Sequence, residues 1–386
     1  MPPKADDYIH DLAPEAPQGV YPEALAALKR SRRVMIGHID AGIAPHPALG
    51  FAGDIPPSNI LMDLGANLYD PENDPSPVTP LRHGSDPLAA QLEYPDHGVK
   101  TLSAILGHEP EFRGVAPWVK VVPYRVSNGP LFRNGTGPMT RSREATALIG
   151  AAIDQAVALT PEIRVITISM GNPGWLGVMD FLVRIAGGGI GMDRDTGRAV
   201  DRAYEKGVIL CCAAGQVIDR VVYPARYSRT IAVGGVDKHG GLYDHYPPEG
   251  YAEPAHVDVW AQAKRLNRAS YLPDTDPPVP VYADDPRAEG GEPSGTSYAT
   301  PQVAAAAALW VERHYDRLEE MFADERWKIV EAFRAALRGS ARSEPARLRN
   351  GSSVPVRVLD IPRLLSRAPA PVETAPAARA VGQGFW

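Results

Sequence analysis

Apolar and polar positions alternate along this chain between two signatures. Five short apolar runs, at Ile36–Asp40, Val119–Pro123, Val165–Ser169, Val208–Ala213 and Thr230–Gly234, have the length and β-branched content of strands buried on both faces. Helical stretches at 97–107, 143–159, 196–206 and 299–315 are interleaved with them or follow them. That order predicts an α/β fold, a parallel sheet with helices on both faces forming a single domain. A chain of 386 residues can bury such a core without dividing in two. Sheets of this kind place their crevice at the carboxyl ends of the strands, where Asp40 and Gly171 both fall.

The flanks read differently. Residues 1–29 are expected to form an N-terminal arm, polar and proline-bearing at first, with a short helix from Pro22 to Leu28 before Lys29-Arg30. The folded domain is placed at 30–367, and the Ala/Pro-rich residues 368–386 are expected to be a flexible tail ending in the apolar Gly384-Phe385-Trp386. Loop-like insertions are expected at 51–93, 172–195 and 261–292, the second a glycine-rich stretch that reads as a mobile lid or a packed surface loop.

Composition narrows the function classes. Hydrophobic residues make up 44% and the net charge is −6, giving no reason to invoke nucleic acid. No apolar run approaches the length of a membrane span, and the first residues carry no apolar signal-peptide core. The expected location is therefore cytoplasmic, although a chain trimmed of its leader would look the same. The two cysteines, Cys211 and Cys212, are adjacent in a strand run, so their side chains should face opposite ways in the core.

Candidate chemistry lies at three separated places. Gly295-Thr296-Ser297-Tyr298-Ala299-Thr300-Pro301 puts a serine at the start of a strongly helical run, and Pro301 suits a first helical turn. A serine hydroxyl is a weak nucleophile unless a neighbouring base takes its proton. The helix start would also aim backbone N–H groups at the reacting centre. Upstream, the first strand run delivers Asp40, and a turn at Tyr94–Asp96 leads into a helix beginning at His97. The chain order is Asp, His, Ser.

With that order and its flanks, the chain resembles the subtilisin-like (subtilase) serine peptidases. Beyond the three residues, similar blocks run from Gly114–Val126 through Val165–Gly171, Tyr223–Gly234 and Val356–Leu365, in family order. The resemblance implies a subtilisin-like fold and a serine endopeptidase in which Ser297 attacks the peptide carbonyl, His97 is the base and Asp40 orients it. It implies that Ser169, Met170 and Gly171 bind substrate backbone, with Ala214 and Gly215 on the facing turn, and that residues 127–138, with Leu131 and Phe132, flank the groove. It implies a protein or peptide substrate, one selected partner being a narrower case, and no cofactor for the chemistry. Oligomeric state is left open.

Departures from the family pattern qualify that expectation. The family places Asn after the Ala-Ala-Gly turn to donate to the oxyanion, and this chain has Gln216. Removing that donor from subtilisin costs about 2.7–4 kcal/mol of transition-state stabilisation. A glutamine must fold back to reach the same point, so the alternative is a pseudoprotease that binds peptide without efficient turnover. Val99-Lys100 stand for Thr-His, Tyr298 for Met and Gln302 for His. His38 falls on the strand face of Asp40 and reads as a core histidine or a modulator of the site. Asp70, Glu72, Asn73 and Asp74 offer oxygen ligands of the kind that bind structural calcium, the alternative being a proline-broken solvated loop.

Overall fold

A computed structural model describes residues 20–31, 33–81, 96–109, 112–127, 138–171, 194–215, 221–236, 257–263, 266, 268–272, 275, 277–282, 295–347 and 353–380. The centre is a sheet whose described strands run in the order β12-β13-β9-β8-β7-β6-β1-β5-β2. Its members are β1 (Met35–Asp40), β2 (Ala66–Asn67), β5 (Lys120–Arg125), β6 (Ile163–Ile168), β7 (Ile209–Ala213), β8 (Ile231–Val236), β9 (Val259–Gln262), β12 (Arg342–Arg347) and β13 (Ser353–Val358). Two small hairpins, β3 (His108–Glu109) with β4 (Phe112–Arg113) and β10 (Ala269–Tyr271) with β11 (Pro280–Tyr282), stand outside it. Every pairing in the large sheet is parallel except β12 with β13.

Period-two alternation divides the strand side chains between two apolar layers. Ile36, Val121, Val165, Ile209, Cys211 and Val233 join one core cluster. Ile39, Val122, Ile166, Leu210, Cys212 and Ala232 join the other. The first layer is covered by α1 (Val20–Ser31), α2 (His97–Leu106), α5 (Thr296–Arg313) and α7 (Trp327–Ser340). The second is covered by α3 (Pro138–Ala158) and α4 (Arg194–Glu205). Two further helices are α6 (Tyr315–Met321) and α8 (Ile361–Ser366). Cys211 and Cys212 are free, buried and on opposite layers, with burial pushing both thiols up.

The sheet order explains where a crevice can form. The crossover through α2 carries the chain from β1 to β5 on one side, and the crossover through α3 returns it to β6 on the other. The switch point therefore lies at the carboxyl end of β1, which is Asp40.

Two flanking expectations are corrected. The helix of the N-terminal arm runs over Val20–Ser31, longer than 22–28, and buries Ala24, Leu25 and Leu28 in the first layer. It belongs to the folded domain because leaving those side chains in water would expose the apolar flank of α5. In the tail, residues 368–380 are an extended strap with specific partners. The Arg229 guanidinium donates to the Ala377 carbonyl at 3.0 Å, Ser228 Oγ to the Ala378 carbonyl at 2.9 Å, and the Ala380 N–H to Asp201 Oδ1 at 2.8 Å. Ala380 itself is buried. An Ala/Pro sequence lacks an apolar pattern of its own, but its backbone groups serve the domain's side chains. Phe385-Trp386 lie outside the described residues.

Candidate active site

Asp40 ends β1 fully buried. Its Oδ1 accepts the Ala41 N–H at 2.7 Å and lies 2.6 Å from His97 Nδ1, and its Oδ2 accepts the Thr101 hydroxyl at 3.0 Å. A contact that short puts a proton on Nδ1, so that in the neutral imidazole Nε2 would carry the lone pair. Burial alone would raise the Asp40 carboxyl. The charge and hydrogen bond of His97, then His38 and the Ala41 N–H, hold it below its ordinary value. The pair is thus an ionised carboxylate that fixes the orientation of the His97 ring through Nδ1.

The position of His97 is set by the way α2 docks. Gly98 packs so closely on the turn after β1 that a Cβ there would lie 1.7 Å from the Gly42 carbonyl oxygen. Gly42 has φ +87°, the left-handed region that favours glycine. On the other side Asp96 clamps α2 to β10, accepting from Ser270 Oγ at 2.9 Å and the Tyr271 N–H at 3.3 Å and pairing with Lys100 at 3.0 Å. The Ala269 N–H donates to Ser103 Oγ at 2.9 Å. These contacts fix the helix start from which the imidazole projects.

Ser297 is the second residue of α5, and its Oγ donates to the Ser169 carbonyl at 2.8 Å. Ser169 follows the end of β6, so the serine lies against the strand end whose residues 169–171 were expected to bind substrate. Tyr298, next along α5, brings its ring within 6.3 Å of the His97 ring. Gln302 ties the same helix start to β9 by donating to the Gln262 carbonyl at 2.9 Å. The aspartate–histidine bond is therefore formed, while the serine hydroxyl is engaged by a carbonyl. Met170 and Ala214 are buried, and Gly171 and Gly215 are half-buried. Between those two glycines stands Val222. A Cβ built on Gly171 would meet its Cγ2 at 2.2 Å, and one on Gly215 its Cγ1 at 2.7 Å.

A profile of the Subtilase family matches residues 31–352. The chain belongs to the subtilase family. Among curated relatives it is 27% identical to a thermostable alkaline protease of Halalkalibacterium halodurans over 281 residues, 72% of this chain and 56% of that protein. It is 25% identical to subtilisin E of Bacillus subtilis over 319 residues, 80% of this chain and 64% of that one. The matches thus span less than two thirds of those relatives. Among solved structures, proteases from Pseudoalteromonas arctica PAMC 21717 match with TM-score 0.61 at 19% identity, covering 95% of this chain and 99% of theirs. The prenylagaramide maturation protease PagA matches with TM-score 0.56 at 19% identity, covering 90% and 98%. These structural likenesses are likenesses of fold.

Several expected site residues of this subtilase lie outside the described residues: Gln216, residues 128–137 with Leu131 and Phe132, and residues 172–193 of the glycine-rich stretch. The stretch expected as a calcium loop is described, and Asn67, Asp70 and Asn73 make hydrogen bonds within it. Asn67 Nδ2 donates to the Asp74 carbonyl at 2.7 Å, Asn67 Oδ1 accepts the Tyr69 and Asp70 N–H groups at 3.0 Å, and Asn73 donates to Asp70 Oδ1 at 2.8 Å. Among the described residues no cluster of three or more His, Cys, Asp or Glu side chains is arranged to hold a metal. Also among them, no helix is long and apolar enough to cross a membrane. Thr101 carries no signature of its own in the sequence, although its spacing of four from His97 puts both on one face of α2.

The buried histidines make stability pH-dependent. Burial lowers His38 and His46 to about 4 each. His46 is satisfied in its neutral form, with Nδ1 accepting the Ala48 N–H at 3.0 Å and Nε2 donating to the Ser270 carbonyl at 3.1 Å. Between the unfolded value near 6.5 and the folded value near 4 the unfolded chain binds more protons, so stability falls as pH drops through that window. The expected loss is on the order of a few kcal/mol, complete near pH 4. Thermal melts at pH 7.5 and pH 4.5 should show it, and His46→Gln should reduce the difference without abolishing it, because His38 still contributes.

Proposed function

We propose that this subtilase is a serine endopeptidase that hydrolyses peptide bonds through Asp40, His97 and Ser297 and an acyl-enzyme. The observation that carries the reading is the buried 2.6 Å Asp40–His97 bond at the sheet's switch point, with the α5 start bearing Ser297 beside it. On this reading Ser297 leaves the Ser169 carbonyl by rotation about χ1 and gives its proton to His97 Nε2 as its oxygen adds to the substrate carbonyl. His97 then returns that proton to the departing amine, and water repeats the cycle on the acyl group. The Ser297 N–H at the helix start and the Gln216 amide would receive the oxyanion. Ser169-Met170-Gly171 would pair with substrate backbone as an added strand, opposite Ala214-Gly215. None of these steps calls for a cofactor. Two buried, unpaired cysteines suit the reducing, cytoplasmic setting that we propose.

Fluorophosphonate labelling read by intact mass tests the reading. One adduct per chain that disappears in Ser297→Ala supports it. The pseudoprotease reading draws on two features: the Ser297 hydroxyl bonds to a carbonyl instead of the base, and glutamine stands at position 216. It predicts that the native chain stays unlabelled and that Gln216→Asn restores labelling. General casein cleavage would separate a broad enzyme from one with a single protein substrate.

Substrate preference follows from Val222. Its isopropyl group takes the space between Gly171 and Gly215 where the side chain preceding the cut would enter, so small side chains such as Ala are expected there. Val222→Gly should shift kcat/KM from Ala toward Leu or Phe peptides by about 10- to 100-fold. A peptide series differing only at that position is the check. An unchanged ranking would remove Val222 from the pocket.

A further inference from the structure

Behind the Asp40–His97 pair lies a second histidine that the proposed mechanism does not use. His38 sits two residues before Asp40 on the same face of β1, fully buried, with Nε2 2.9 Å from Thr101 Oγ1. Thr101 Oγ1 in turn donates to Asp40 Oδ2 at 3.0 Å, its other acceptor being the Gly98 carbonyl at 3.2 Å. His38 Nε2 is 4.0 Å from the same carboxylate oxygen, beyond a direct hydrogen bond. The hydroxyl is therefore the link between them.

Proton counting orients the chain. Thr101 has one hydrogen, and the buried carboxylate is the stronger acceptor, so the hydroxyl donates to Asp40 and must accept from His38. That puts the His38 proton on Nε2 and leaves Nδ1 as an unpartnered lone pair. The opposite tautomer would strand a buried N–H donor, the costlier orphan. The in-register neighbours of His38 are Pro123 on β5 and Thr167 on β6, and the charged or titratable groups acting on it are Asp40 and His97. Burial keeps it neutral, lowering it to about 4.

We propose that His38 is a positioning residue that acts through the Thr101 hydroxyl, the two forming a donor relay that holds Asp40 ionised and lowers the proton affinity of the Asp40–His97 pair. Donors aimed at a carboxylate stabilise its charge, and a chain of them polarises each member in turn. His97 is thereby kept free as a base to lower pH than with a bare carboxylate behind it. The proposal rests on reading Asp40 and His97 as the acid–base pair, but not on turnover.

Imidazole nitrogen NMR on ¹⁵N-histidine-labelled protein tests it, because it reads His38 and His97 whether or not the chain cleaves anything. In the native chain His38 should be the neutral Nε2–H tautomer. Thr101→Val keeps the shape and removes the hydroxyl, and should raise the His97 titration midpoint by about half to one pH unit. His38→Leu should move it the same way by a smaller amount, and the double variant should move no further than Thr101→Val. Thr101→Ser should restore the native midpoint, showing that the fold tolerates substitution there. Fluorophosphonate labelling should follow the midpoint, slowed near pH 6 and recovered near pH 8.5 in Thr101→Val. A His38 carrying its proton on Nδ1, an unmoved His97 midpoint in Thr101→Val, or additive shifts in the double variant would each overturn the relay. Native protein that titrates as expected yet never labels would instead count against the peptidase reading and leave the relay standing.

Discussion

Ser297→Ala should lower peptide hydrolysis by about 10⁶-fold and abolish fluorophosphonate labelling while leaving the thermal midpoint nearly unchanged. The size follows from the triad that we propose. In subtilisin, losing the serine or the histidine alone costs about 2 × 10⁶ in kcat, roughly as much as losing all three members. Without the hydroxyl no acyl-enzyme forms, whatever the basicity of His97. Stability should hold because the lost bond, from Ser297 Oγ to the Ser169 carbonyl, is a single neutral one worth about 1 kcal/mol. The Ser169 carbonyl would be left with its remaining neighbours. A variant that keeps more than about one part in 10³ of native kcat would place the nucleophile elsewhere, since oxyanion stabilisation and binding account only for a residual of about 10³–10⁴ over water.

Gly98→Ala should remove most activity by a different route. The added methyl carbon would sit 1.7 Å from the Gly42 carbonyl oxygen and 2.9 Å from its carbonyl carbon, both backbone atoms of the turn that carries Asp40. Flexible side chains can swing aside from such a clash, whereas a turn fixed between β1 and α2 cannot. Overpacking in cores costs about 1–3 kcal/mol and sometimes more, and the depth of this overlap puts the expectation at the upper end. Relief requires α2 to lift from the turn, which carries His97 away from a bond now 2.6 Å long. A displacement near 1 Å at such a point can cost about 100-fold in rate. The pairing of a urea-midpoint loss with a kcat/KM loss distinguishes this from Ser297→Ala, which touches rate alone. Gly339→Ala is the matched control: its new methyl meets nothing within 4 Å near the end of α7, so it should be neutral or stabilise by about 0.5–1 kcal/mol.

The relay behind Asp40 and the glycine contact in front of it bear on the same imidazole. One sets its proton affinity and the other its place. Their variants should therefore separate in a pH profile, with Thr101→Val shifting the acid limb and Gly98→Ala scaling the whole curve down.

Much of this molecule was legible as a string of residues. Strands β1, β5, β6, β7 and β8 are buried on both faces, so each had to be a nearly unbroken apolar run, and such runs are visible without a fold. The starts of α2 and α5 were equally plain, because a histidine and a serine stand where turn residues give way to helical periodicity. Edge elements were not legible. β12 is Arg-Ser-Glu-Pro-Ala-Arg and β13 holds a proline, compositions that a half-exposed edge hairpin tolerates and that read as loop in isolation. The helices between 315 and 340 lie beyond the expected helical stretches, and α3 begins at 138, before the expected 143. The arm and the tail were read as separate because their residues lack a core of their own, and contact with α5 and with Arg229 and Asp201 gives them their place.

The sequence by itself determined the fold class and singled out Asp40, His97 and Ser297 as candidates, because buried strands leave a local imprint and the three stand where strands end or helices begin. Only the tertiary structure decided which groups surround them. That Thr101 joins His38 to Asp40, that Val222 fills the gap between Gly171 and Gly215, and that Gly98 abuts Gly42 are contacts between residues far apart in the chain or on different elements. No periodicity encodes such distances, since they arise when α2 and the turn after β7 are pressed onto the sheet by the packing of everything else.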